Sequence, residues 1–144
     1  MITYKTNVPI SVQQYTDLLK QTSLGERRPI DKPEQIETML KQTDVLVTAW
    51  HNDTLVGLAR SVTDFAYCCY LSDLAVSEQW QKQGIGQQLI LETEQVLEPT
   101  CKIILLAAPQ AVDYYPHIGF VQHPSAWTKI ESYTNISGLR NKMF

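Results

Sequence analysis

The 144-residue sequence has no window approaching the ~18 consecutive apolar residues that a membrane span needs, and residues 1–5 lack the basic run and apolar segment of a secretory leader. No membrane partner is therefore expected, and the chain reads as cytoplasmic. Cysteine is scarce. Cys68, Cys69 and Cys101 form an odd set, two of them adjacent, so a disulfide frame is not expected and all three are read as small buried filler. Positive charge is also short: 12 Lys and Arg stand against 15 Asp and Glu, a net charge of -3. That leaves no bulk field to hold a nucleic-acid backbone. His51, His117 and His123 form no i, i+4 pair and there is no Cys-x-x-Cys, so no metal site is expected. No Gly-x-Ser-x-Gly elbow is present, and Trp50, Trp80 and Trp127 are not interleaved with a basic patch as single-strand binders require.

What is present is globular composition, 44% hydrophobic and 19% charged, at the length of one domain. We read 1–144 as a single unit with one site, and 131–144 as an unassigned tail. From Ser11 to Thr22, Val12, Tyr15, Leu18 and Leu19 recur at helical spacing. Asp31-Lys32-Pro33-Glu34 has the form of a capping box with proline in the first turn, opening a second helix that buries Ile36, Met39 and Leu40. Two β-rich runs between Val45 and Val62 flank His51-Asn52-Asp53, which predicts a hairpin. Ala66 to Val76, with Asp73 its only charge, reads as a central strand covered on both faces. After Gly84, apolar residues repeat with helical period up to Pro99, and Ile103 to Ala107 forms a short apolar run, completing a β-α-β unit with parallel strands. A last helix is predicted from Pro109 to Gly119, carrying Ala111, Val112, Tyr115 and Ile118, with strands at Phe120-Val121 and Ala126 to Ile130. The fold class is mixed α/β.

The segment Gln81-Lys82-Gln83-Gly84-Ile85-Gly86 lies between the long strand and an amphipathic helix. A helix start carries unpartnered N–H groups and about half a positive elementary charge, so it suits a pyrophosphate. Gly84 and Gly86 keep Cβ atoms out of the way, and Lys82 adds a charge. The spacing fits neither of two familiar phosphate loops. Gly86 is followed by Gln87-Gln88 rather than Lys-Ser/Thr, and Leu89 stands where the dinucleotide fingerprint has its third glycine.

The run Leu74 to Gly86 resembles the acyl-CoA motif of the GNAT superfamily of N-acetyltransferases, Gln/Arg-x-x-Gly-x-Gly/Ala after a strand. Tyr115-Pro116-His117-Ile118-Gly119-Phe120 is similar to that family's Tyr-x-x-x-Gly-Phe. The resemblance implies a mostly antiparallel sheet with a central splayed parallel strand pair and about four helices. It implies acetyl-CoA as co-substrate and no metal. Backbone groups of Leu74, Ala75 and Val76 would hold the pantetheine arm, with a strand N–H near Val76 polarising the thioester carbonyl. Amides of Gln81, Lys82, Gln83, Gly84, Ile85, Gly86 and Gln87 would hold the pyrophosphate. The implied reaction is direct attack on the thioester by a primary amine, and we read the acceptor as a small molecule, with a CoA-responsive binding module or a peptide or protein acetyltransferase as alternatives.

Proton handling selects two residues. Tyr115 is the candidate general acid, because a phenol of pKa about 10 stays protonated as a thiolate forms, and the resemblance assigns it the same role. Neighbouring Tyr114 is read as pointing elsewhere. Asp73 is the candidate general base, with a water chain through Ser72 as its rival. Arg27 and Arg28 are read as a solvated loop paired with Glu26 ahead of a grip on an acceptor carboxylate. A homodimer through the tail from Glu131 is open.

Overall fold

The computed structural model describes residues 1–132. Its five strands are β1 (Ile2–Thr6), β2 (Val45–His51), β3 (Thr54–Thr63), β4 (Cys68–Val76) and β5 (Lys102–Ile104), and its α-helices are α1 (Val12–Leu19), α2 (Pro33–Lys41) and α3 (Ile85–Glu94). The sheet runs in the order β1-β2-β3-β4-β5, antiparallel except for the parallel β4–β5 pair. This is the mixed, mostly antiparallel architecture expected, with three α-helices among the described residues instead of about four.

Burial explains the layering. β2 and β3 are buried along nearly their whole length, because α3 covers one face of the sheet and α1 and α2 the other. On the α3 side Val45, Val47, Ala49, Val56, Ala59 and Leu71 pack against Ile85, Leu89 and Ile90. On the other side Tyr15, Leu18, Leu19 and Ile36 close over Trp50, Leu55, Leu58 and Ala75. At roughly 25 cal/mol per Å² of apolar surface removed from water, these two clusters supply the bulk of the driving force. Gly57 lets α3 come close: a Cβ there would lie 3.2 Å from the Ala75 carbonyl oxygen and 3.3 Å from Leu89 Cδ1.

Local signals mostly act as read. Ser11 accepts from Gln14 N–H at 3.0 Å while the Gln14 side chain accepts from Ser11 N–H at 2.9 Å, a capping box at the start of α1. The second box does not form. Pro33 sets the first turn of α2, the cap falls on Lys32, and no side chain bonds there. Asn52, at φ 54, turns the β2–β3 hairpin.

Four expectations are corrected. The segment from Pro109 to Gly119 is two short 3-10 turns, Pro109–Ala111 and Tyr115–Ile118, because Pro116 removes an N–H and its ring clashes with a helical carbonyl four residues back. Phe120-Val121 and Ala126–Ile130 form no strand, and α3 ends at Glu94 rather than reaching Pro99. Cys68 is exposed and Cys101 only half-buried, so of the three cysteines Cys69 alone is core. The tail expected from 131 onward lies, beyond 132, outside the described residues.

β4 departs most from a simple central strand. Leu71 pairs with Ser61 and Asp73 with Arg60, so Ser72 is an extra, unpaired residue, a β-bulge. The bulge inverts the alternation of side chains. Leu71 lies on the α3 side, yet two positions on Asp73 and Ala75 lie on the α1 side, while Leu74 and Val76 pack toward α3. On its other edge β4 pairs with β5 only through Cys68, Cys69 and Tyr70, and from Leu71 to Val76 it has no strand beside it. The two parallel strands splay, and β4 is half-open there instead of covered on both faces.

Candidate active site

A cavity of about 640 Å³ occupies the gap left by the splay. Leu71, Ser72, Leu74, Ala75 and Val76 of β4 form one wall, Leu105 and Leu106 beyond β5 the opposite one. Gln81, Lys82, Gly84, Ile85, Gly86 and Gln87 close one end, and Tyr114 and Tyr115 reach in from the 3-10 segment. Gln83, expected among the cofactor residues, is not part of the wall, and neither is Asp73.

The loop end is built from backbone. Gly84 caps α3 at φ 83, a left-handed conformation that favours glycine, and no side chain bonds the helix start. The first amide of this turn to close on a carbonyl is Gln88 N–H, on Gly84 O at 3.0 Å. Those of Ile85, Gly86 and Gln87 therefore have no acceptor within the helix. A Cβ on Gly86 would stand 3.0 Å from Tyr114 Oη, so glycine at this position keeps the space between amide and phenol clear. Tyr114 thus faces the loop, a correction to its reading as a bystander. Gln81 Nε2 donates to the Val76 carbonyl at 3.0 Å and fixes the strand-to-loop corner.

Tyr115 is half-buried, edge-on to Tyr114 and Phe120 with ring centroids 5.4 and 5.5 Å apart. Burial first, and the neighbouring Tyr114 second, push its pKa above the ordinary phenol value, so it remains a proton donor across the neutral range.

Asp73 has other work. Its side chain has no exposed surface; Arg60 Nε donates to Oδ2 at 2.6 Å, Arg28 Nε to Oδ1 at 2.6 Å and Tyr15 Oη to Oδ2 at 2.7 Å. Burial pulls its pKa upward, but the charge and hydrogen bond of Arg60, with the bonds from Arg28 and Tyr15, outweigh it and hold the carboxyl below its usual range. A sealed carboxylate with both oxygens engaged does not meet a substrate proton, which counts against the expected base. Arg28 likewise pairs with Asp73, not Glu26.

The two arginines also stitch the bulge. Arg28 donates to the Ser72 carbonyl at 2.6 Å and Arg60 to Ser72 Oγ at 3.0 Å, satisfying groups of a residue that skips its β3 partner. Tyr15, Arg28 and Arg60 were not singled out for this in the sequence. The available signal was a lone carboxylate in an apolar strand, which must find cations or donors elsewhere in the chain.

Residues 23–129 match the model of the acetyltransferase (GNAT) domain. The chain belongs to the GNAT acetyltransferase family. Within that family it is 27% identical over 129 residues to an uncharacterized N-acetyltransferase, ycf52, of Gracilaria tenuistipitata var. liui, spanning 82% of this chain and 69% of that one. The fold of this GNAT chain is similar to a probable acetyltransferase from meticillin-resistant Staphylococcus aureus, with a TM-score of 0.74 and 21% identity over 92% of this chain and all of that one. It is also similar to AAC(6')-Iy, determined with the bisubstrate analogue CoA-S-monomethyl-acetylneamine, with a TM-score of 0.69 and 15% identity over 92% of this chain and 99% of that one. These last two likenesses concern the fold. Among the described residues of this GNAT domain no helix is long and apolar enough to cross a membrane, and no cluster of His, Cys, Asp and Glu is arranged for a metal.

Proposed function

We propose that the protein transfers an acetyl group from acetyl-CoA to the primary amine of a small acceptor, both substrates being bound together. The observation that carries this reading is one cavity joining a glycine-lined helix start, an unpaired strand edge and a half-buried phenol. The residues fit the co-substrate. Amides of Ile85, Gly86 and Gln87, with the Lys82 ammonium beside them, would hold a diphosphate. The open edge of β4 at Leu74, Ala75 and Val76 would hold the amide-bearing arm, with the Val76 carbonyl already taken by Gln81. Bound acetyl-CoA supplies an acyl group already activated as a thioester.

The remaining chemistry is proton movement. Tyr115 Oη keeps a proton at neutral pH and is the donor for the departing sulfur. Asp73 acts through position, holding Arg28 and the bulge at Ser72, so the amine proton leaves by water along the Ser72 side of the cavity. Tyr115→Phe is expected to lower kcat about ten-fold or more with acetyl-CoA affinity unchanged. Calorimetry with acetyl-CoA and thiol release with an amine panel test both halves. Binding without any transfer, in wild type and variant alike, would favour a CoA-responsive module.

A further inference from the structure

We propose that the acceptor is a small amine that also carries an oxyanion, a carboxylate or a phosphate, seated at Arg28, and that polycationic amines are poor acceptors. This rests on the acetyl-transfer reading and names the acceptor class for the same cavity.

Among the described residues the cavity wall contains no Asp or Glu; its charged residues are Arg28 and Lys82. Glu26, in the loop that carries Arg28, is exposed and not part of the wall. An ammonium-rich acceptor would therefore meet no counter-charge inside. The two cations serve different ends. Lys82 belongs to the phosphate loop, whereas Arg28 stands beside Ser72, four residues and roughly 13 Å back along an extended strand from Val76. That is the end where an acceptor enters if the diphosphate takes the loop.

Arg28 is not used up by the fold. Two arginines share one carboxylate, so the cluster of Arg28, Arg60 and Asp73 keeps a net charge of +1. Of the five N–H bonds of a guanidinium, Arg28 commits three, to Asp73, to the Ser72 carbonyl and to the Arg27 carbonyl, and two remain. Its side chain retains 19% exposure against none for Asp73. A positive charge at the rim of a partly desolvated pocket, held by three partners and with spare donors, is suited to a planar or tetrahedral oxyanion.

The test uses the full chain, acetyl-CoA and thiol release. Amino acids are compared with their carboxamides, ethanolamine phosphate with ethanolamine, and both sets with spermidine and neamine. The expected result is a kcat/KM at least about ten-fold higher for the anionic member of one pair or of both, with the two arms telling carboxylate from phosphate. Arg28→Gln should bring that ratio to within about two-fold while calorimetry finds acetyl-CoA affinity retained. Arg28→Lys should keep part of it. Because Arg28→Gln leaves the Ser72 carbonyl short of a donor and can weaken folding, wild-type inhibition by acetate or inorganic phosphate, competitive with the amine, is the independent measurement. Equal rates within each pair, or a preference for spermidine or neamine, would overturn the anionic acceptor and leave acetyl transfer standing. Absence of acetyl-CoA binding would overturn both.

Discussion

Asp73 shows how a single side chain decides what its strand can do. It sits between two guanidinium groups and a phenol with no exposed surface, so removing any partner leaves a charge poorly compensated in a medium of low dielectric. Asp73→Asn should cost about 3–5 kcal/mol in urea denaturation, since it strands two cations. Tyr15→Phe removes one donor and should cost about 1.5–3 kcal/mol. The pH dependence follows from the lowered carboxyl pKa. In the unfolded chain this group titrates near 3.9, so its stabilisation is complete above that value and declines as pH falls toward the lower folded value. The difference in unfolding free energy between wild type and Asp73→Asn should therefore be constant from neutral pH to about 5 and shrink below 4. Tyr15→Phe should move the acid limb to higher pH. An acid limb identical in all three proteins would remove Asp73 from the account of stability.

At the scale of elements, α3 matters because its first turn is the loop proposed to hold the diphosphate, and its approach to the sheet is limited by Gly57. Ile85 and Leu89 are buried against β3 with no room for a side chain beneath them: Ile85 Cγ2 would lie 3.4 Å from a Gly57 Cβ. Gly57→Val should cost about 1–3 kcal/mol by overpacking and weaken acetyl-CoA binding more than Gly57→Ala does, a comparison that calorimetry on the two variants makes directly. Unaltered binding in Gly57→Val would mean that the loop does not ride on this contact. Elements such as α1, the β2–β3 hairpin and α3 were legible in the sequence because their periodicity and turn residues act locally, as Ser11, Asn52 and Gly84 show. The bulge was not. An extra residue at Ser72 leaves the apolar run of β4 looking unbroken, and only the register against Ser61 and Arg60 reveals it. The same limit hid the ion cluster, whose members Tyr15, Arg28, Arg60 and Asp73 come from four segments. Pro116, by contrast, was visible and outweighs the helical spacing around it.

For the whole molecule, the crevice between β4 and β5 is a place where the sheet has given up hydrogen bonds. β4 continues six residues past its last pairing with β5, from Leu71 to Val76, with one edge turned to a cavity instead of a strand. Unpaired strand edges and unpartnered helix amides are costly when dry and call for water or a ligand to satisfy them. A ligand that spans both should consequently act as a brace across the two halves of the sheet, binding the folded state and not the unfolded one. Coenzyme A at a hundred times its dissociation constant should stabilise the protein by about 2.7 kcal/mol, a rise of several degrees in melting temperature at this chain length. Adenosine alone should give less, because it engages neither the amides of Ile85 to Gln87 nor the β4 edge. Gly86→Val would place a Cβ 3.0 Å from Tyr114 Oη, the tip of an exposed side chain that can give way, so it should fold with little change in its own melting temperature and lose most of the shift. A full shift in Gly86→Val, or an equal one with adenosine, would mean that stabilisation arises away from the loop, and the splayed pair would then be an open edge rather than a binding crevice.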